Sequence, residues 1–147
     1  MHRSTIVAAA VLLAGLGSFA VRAQDRTVQF HADLNGAHEV PAKQTEATGR
    51  LHATLDRDTK VLTYDITYEG LSGPPTAMHF HGPAQSNQNA GVQVPIQAPV
   101  TSPVHGSAGP LTDDQVKQLL DSDWYVNVHT KANPGGEIRG QVLHGGP

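Results

Sequence analysis

The chain has 147 residues and a mass of 15.5 kDa, the size of one ordinary domain. Hydrophobic residues make up 38%, charged residues 16%, and the formal net charge is −3, which excludes a disordered chain, a multi-span membrane protein and a basic nucleic-acid binder. The absence of cysteine excludes disulfides, thiolate metal sites and cysteine nucleophiles, whereas nine histidines are many for this length.

The beginning of the chain has the pattern of a secretory signal peptide. Met-His-Arg precedes an apolar run over residues 6–21, and small residues, Val21 and Ala23, stand where a signal peptidase requires them. The run is shorter than the roughly 20 residues of a membrane span. We therefore predict a signal peptide at residues 1–23, one mature domain at residues 24–147, and a secreted or periplasmic protein without a membrane span after cleavage.

The mature part predicts short strands separated by turns. Apolar and polar residues alternate with the period of half-buried strands. The predicted strands cover residues 27–34, 47–55, 62–68, 76–81, 92–100, 124–130 and 137–143. Pro95 and Pro99 cannot donate ladder hydrogen bonds, so the strand that contains them is predicted at a sheet edge or interrupted.

One helix is predicted between the last strands. Thr112 and Gln115 fit a capping box, and Val116, Leu119 and Leu120 form one apolar stripe behind it. Seven or eight strands with one short helix predict an all-β fold, an antiparallel β-sandwich with Greek-key order.

Three segments of unusual composition resemble the CHRD domain, the module named from chordin. Residues 34–41 are LNGAHEVP, residues 76–84 are TAMHFHGPA, and YVNVHT at 125–130 is followed by NPGGEIRG at 133–140. The resemblance covers roughly residues 27–144. It implies a secreted β-sandwich of immunoglobulin scale without a defined biochemical role.

The histidines of two predicted strands are the candidate metal ligands. His79 and His81 are alternate residues and point to one face, while Met78 and Phe80 take the core side. His129 lies on the outer face of a second strand. Two strand histidines and a third from another strand can surround one metal ion at about 2 Å. Imidazole donors without thiolate suit copper first, by the order of intrinsic affinities, with zinc as the alternative.

The same arrangement resembles the copper half of the Cu/Zn superoxide dismutases, another family of β-sandwich proteins. That resemblance implies copper ligation by the three histidines and loosely places Arg139 in the role of an anion-steering arginine. Residues 82–104 contain no His, Asp or Glu, so the zinc half is missing. His105, between the two motifs, and His38 are candidate additional ligands.

The sequence leaves three functions open. The favoured one is a non-catalytic binding module that holds a transition-metal ion, with an unidentified extracellular protein as a further partner. The alternatives are a mononuclear copper redox enzyme that acts on superoxide, and a structural or adhesion module in which the histidines only hold loops together. No catalytic residue is predicted, and Glu137 and Arg139, on one face of the last strand, are predicted to form a cross-strand or local ion pair.

Overall fold

Nine strands and one α-helix form the part of the chain that the structure, a computed structural model, describes: residues 26–145. The predicted signal peptide lies outside these residues. The strands are β1 Thr27–Asn35, β2 Thr48–Asp56, β3 Val61–Glu69, β4 Pro75–His81, β5 Val92–Pro95, β6 Val104–Ala108, β7 Tyr125–Thr130, β8 Ile138–Gln141 and β9 Leu143–His144. A 3-10 helix, Gly36–His38, follows β1, and helix α1 is Asp113–Leu120. No helix among residues 26–145 is both long enough and apolar enough to cross a membrane.

The strands join into one antiparallel sheet that curls on itself. Its order is β5-β4-β7-β8-β1-β2-β3-β6, and β9 pairs with β1. Although β3 and β4 are far apart in this order, the rings of Tyr64 on β3 and Phe80 on β4 meet with centroids 5.4 Å apart. The structure thus confirms an antiparallel all-β fold with one helix, in the form of a nearly closed, barrel-like sheet, while the sandwich and Greek-key description is not confirmed.

The core fills the inside of the curled sheet with the residues that the alternation predicted. Inward positions on β1, β2, β3, β4 and β7 are almost fully buried, since burying their apolar surface drives the sheet to curl. They include Phe30, Leu34, Leu51, Leu55, Leu62, Ile66, Met78, Phe80, Val126 and Val128. Strand β7 is buried on its outer face as well, so polar side chains there are shielded from water.

The predicted helix start is confirmed in detail. The Thr112 hydroxyl accepts a hydrogen bond from the Gln115 backbone, and the Gln115 side chain accepts one from the Thr112 backbone. Leu119 from the apolar stripe is fully buried against the core. The helix therefore begins where the capping box satisfies its first free N–H groups.

One strand prediction is confirmed and one strand was missed. Strand β5 lies at the edge of the sheet beside β4 and ends at Pro95, as the two prolines predicted, so it covers only the first part of residues 92–100. Strand β6 was missed, because its sequence VHGSA has weak strand propensity and its pairing with β3 is non-local. Gly106 permits that pairing, since a Cβ there would lie 2.5 Å from the Tyr64 hydroxyl.

Candidate metal centre

The three predicted histidines meet on the outer face of two neighbouring strands. His79 and His81 lie on β4 and His129 on β7, where Ala77 pairs with His129. One ring nitrogen from each lies within 4.8 Å of the others, and His79 Nδ1 is 3.0 Å from His129 Nε2. The period-2 rule for strands therefore placed the side chains on the correct face, and the pairing of β4 with β7 brings them together.

Backbone carbonyls determine which nitrogen of two rings bears the hydrogen. Nδ1 of His129 donates to Pro134 O at 2.9 Å, and Nδ1 of His81 donates to Ala90 O at 3.0 Å. A carbonyl oxygen can only accept, so the neutral form of each ring keeps its lone pair on Nε2. Metal-binding histidines commonly have this arrangement, in which a second hydrogen bond orients the ring.

The surroundings of the cluster favour neutral imidazoles. Burial lowers the pKa of His79 below its usual 6.5, and the neighbouring His129 and His81 lower it further. Burial also lowers the pKa of His81, although its hydrogen bond to Ala90 O acts in the opposite direction. Because a protonated ring has no lone pair, a lowered pKa keeps the donor nitrogens available to a metal at neutral pH.

The His81 ring stacks on Tyr125, which in turn packs against the guanidinium of Arg139. The rings of His81 and Tyr125 are parallel within 4°, with centroids 4.8 Å apart, and the guanidinium carbon of Arg139 lies 3.4 Å from the Tyr125 centroid. The Tyr125 hydroxyl accepts from Ala90 N at 3.2 Å. The stack thus fastens His81 to the loop that supplies its carbonyl acceptor.

The structure gives Arg139 a role in holding that loop, residues 82–91. Its guanidinium donates to Asn89 Oδ1 at 3.1 Å, to Gln88 O at 2.7 Å and to Gln85 O at 3.3 Å. Only 1% of the residue is exposed. A buried guanidinium with these acceptors offers little charge to an incoming anion, so the geometry does not support anion steering.

Neither Glu137 nor Arg139 forms the predicted ion pair within residues 26–145. Glu137 instead accepts hydrogen bonds from Thr45, Ser72 and Thr130. The prediction was wrong because two neighbours on one strand face can each find better partners on loops that are distant in sequence.

The two candidate additional ligands lie elsewhere. His38 is in the 3-10 helix, with Nδ1 3.2 Å from Asp33 O, and His105 is exposed on β6, where it contacts the Asp65 carboxylate. Among residues 26–145, the group of side chains arranged to hold a metal comprises only the three histidines of β4 and β7. His105 faces Asp65, its register partner on β3, and is not part of the group of ring nitrogens that lie within 4.8 Å of one another.

Asn127 is a buried neighbour of the cluster that the search for histidines and carboxylates missed. It lies between Tyr125 and His129 on the outer face of β7, pairs with His79, and places Oδ1 3.1 Å from His81 Nε2. The same alternation that selected His129 could have found it, since residues i and i+2 share a face.

Comparison with known proteins agrees with the sequence resemblance. The family model described as the CHRD domain matches residues 30–142. No curated protein and no solved structure matches the chain significantly.

Proposed function

The chain belongs to the CHRD-domain family, and we propose that it is an exported binding module that holds one transition-metal ion, copper first, through His79, His81 and His129. The observation that supports this proposal most strongly is the hydrogen bonding of two rings. His81 and His129 each donate from Nδ1 to a backbone carbonyl and so keep Nε2 as an electron-pair donor. Export is supported by the signal-peptide pattern of the first 23 residues.

The spacing of the nitrogens is close to that of a metal centre. Two imidazole nitrogens bound to one ion at about 2.0–2.1 Å are separated by about 2.9 Å when adjacent and about 4.1 Å when opposite. The 3.0 Å between His79 Nδ1 and His129 Nε2 fits the adjacent case. The largest separation in the cluster, 4.8 Å, has to shorten by about 0.7 Å, which a small rotation of a side chain can supply.

The donor set suggests the metal. Three neutral imidazoles without thiolate suit divalent copper, zinc or nickel, and copper binds most tightly to nitrogen donors of this kind. His79 Nδ1 donates its hydrogen to His129 Nε2, so the binding of a metal has to displace that hydrogen bond. Zinc remains the alternative ion.

Copper titration of matched variants tests the proposal. We expect calorimetry with Cu(II) to show one site, and His79→Ala and His129→Ala each to weaken it by about tenfold or more. His52→Ala, an exposed histidine on β2, is the control and should bind like the wild type. Copper binding that is unchanged in both cluster variants would overturn the proposed site.

The same hydrogen bonds support a second candidate, a structural module without metal. His129 links His79 to Pro134 O, and this chain of hydrogen bonds is complete without an ion. In that case His129→Ala should lower the Tm while added copper leaves the wild-type Tm unchanged. A bound metal should instead raise the Tm, because at a free metal concentration 100 times Kd it adds about 2.7 kcal/mol to the free energy of unfolding. Superoxide consumption by the copper-loaded protein would identify the third alternative, a redox enzyme.

A further inference from the structure

The His81 ring faces an oxygen atom at each of its two nitrogens. Nδ1 lies 3.0 Å from Ala90 O, and Nε2 lies 3.1 Å from Asn127 Oδ1. A neutral imidazole has one N–H and can donate only once. Since Ala90 O accepts that hydrogen, the lone pair of Nε2 is directed at an oxygen that also offers only lone pairs. In this neutral form of the ring the contact is repulsive, and a positive charge between the two atoms, a proton on Nε2 or a metal ion, makes it favourable.

The neighbours of Asn127 hold its oxygen in that position. On the other side of the amide, Asn127 Nδ2 donates to Gly135 O at 3.4 Å. The Glu39 carboxyl lies on the same side of the amide, since a Cβ on Gly136 would meet both Glu39 Oε1, at 2.2 Å, and Asn127 Nδ2, at 2.7 Å. Turning the amide over would replace the hydrogen bond to Gly135 O by a contact between two oxygens, on the side of the amide where the Glu39 carboxyl lies. Asn127 is only 2% exposed, so water cannot easily compensate for the lost hydrogen bonds.

From this contact we propose that Asn127 Oδ1 is a fourth metal ligand, beside the three histidines; the inference rests on the proposed function. Donors bound to one ion at about 2.0–2.2 Å and at an angle of about 90–110° are separated by roughly 2.8–3.5 Å. The 3.1 Å between His81 Nε2 and Asn127 Oδ1 lies within this range. An ion between the two atoms would accept both lone pairs and remove the repulsion.

An amide oxygen also changes the selectivity of the centre. Oxygen is a harder donor than sulfur or imidazole nitrogen and favours divalent ions over soft Cu(I). Three nitrogens and one oxygen therefore form a site for Cu(II) or Zn(II). We expect the wild type to prefer Cu(II) over Cu(I) more strongly than a variant without the oxygen.

Two substitutions at position 127 distinguish a metal ligand from a group that competes with the metal for His81. Asn127→Leu has nearly the same size but no donor atom, and a ligand role predicts an affinity for Cu(II) about tenfold weaker. Asn127→Asp keeps an oxygen in place and adds charge, so it should bind at least as tightly as the wild type. If Asn127 only occupies His81 Nε2 and competes with the metal, the Leu variant should bind as tightly as the wild type or more tightly, and the proposal is then wrong.

Controls separate this inference from the proposed function. Asn127→Ser keeps a polar group too short to reach the ion, so it gives the same test if the Leu variant does not fold. Asn87→Ala, an exposed amide of the loop, should leave the affinity unchanged. Wild-type binding that does not depend on His79 and His129 would overturn the proposed function itself. Binding that depends on both histidines but is fully retained in the Leu and Ser variants would overturn only the role of Asn127.

Discussion

The buried carboxylate of Glu137 should make a large and pH-dependent contribution to stability. The side chain is 0% exposed and accepts from the Thr45 hydroxyl at 2.9 Å, the Ser72 backbone at 2.8 Å, the Thr130 hydroxyl at 2.6 Å and the Ser72 hydroxyl. Burial alone would raise its pKa. The hydrogen bonds from Ser72, Thr130 and Thr45 outweigh burial and lower the pKa from 4.5 to about 2.

The size of the effect follows from the two pKa values. A carboxyl with a pKa of 4.5 in the unfolded chain and about 2 in the folded protein stabilises the fold above pH 4.5. This stabilisation is lost as the pH falls from 4.5 to 2, because the unfolded chain takes up the proton first. At 1.36 kcal/mol per pKa unit the contribution at neutral pH is about 3 kcal/mol. Glu137→Gln keeps the size and removes the charge, so it should cost a similar amount.

Urea denaturation of the wild type and of Glu137→Gln between pH 7 and pH 2 measures this contribution. We expect the difference in unfolding free energy to be about 3 kcal/mol at pH 7 and to approach zero near pH 2. Other carboxyls titrate in both proteins and cancel. Glu69→Gln, an exposed carboxyl at the end of β3, should show little difference at any pH. A difference that stays constant over the whole range would refute the reasoning, because Glu137 is the only titrating group that the two proteins do not share.

Three further predictions concern packing and the metal centre. Gly82→Ala should destabilise the fold by about 1–3 kcal/mol in the same denaturation assay, because its Cβ would lie 2.4 Å from Trp124 Cδ1. Gly73→Ala is the control and should leave the stability unchanged, because a Cβ at Gly73 meets nothing within 4 Å. Copper titrations of His38→Ala and His105→Ala should give wild-type affinity, and a tenfold loss in either would place that ring at the metal. Copper affinity should fall as the pH is lowered, because protonation removes the lone pairs of the imidazoles, and burial, which lowers the pKa of both β4 histidines, moves their protonation to lower pH. Calorimetry at pH 5 to 8 checks this, and an affinity that does not change over this range would contradict it.

Features that depend on neighbouring residues were predictable from the sequence. The sequence pattern indicated seven of the strands, and the capping box located the start of α1. The alternation also placed His79 and His81 on one face of a strand, with Met78 and Phe80 in the core. These predictions succeeded because strand and helix periods are set by backbone geometry within a few residues.

These local patterns could not predict contacts between segments that are distant in sequence. Nothing local indicates that β6 pairs with β3, or that Glu137 accepts from Ser72 in preference to contacting Arg139. The sequence also did not show that Arg139 holds the loop over Tyr125. Each of these depends on partners that only folding brings within hydrogen-bond distance.

The amino-acid sequence alone thus determined which side chains face outward together, because alternate residues of an extended chain share a side. Only the tertiary structure decided that β4 and β7 are neighbours, that carbonyls from two separate loops orient the imidazoles, and that Asn127 Oδ1 lies next to His81 Nε2. The physical reason is that the direction of a side chain is a local property of the backbone, whereas the partners of a buried polar group are chosen by the packing of the whole chain.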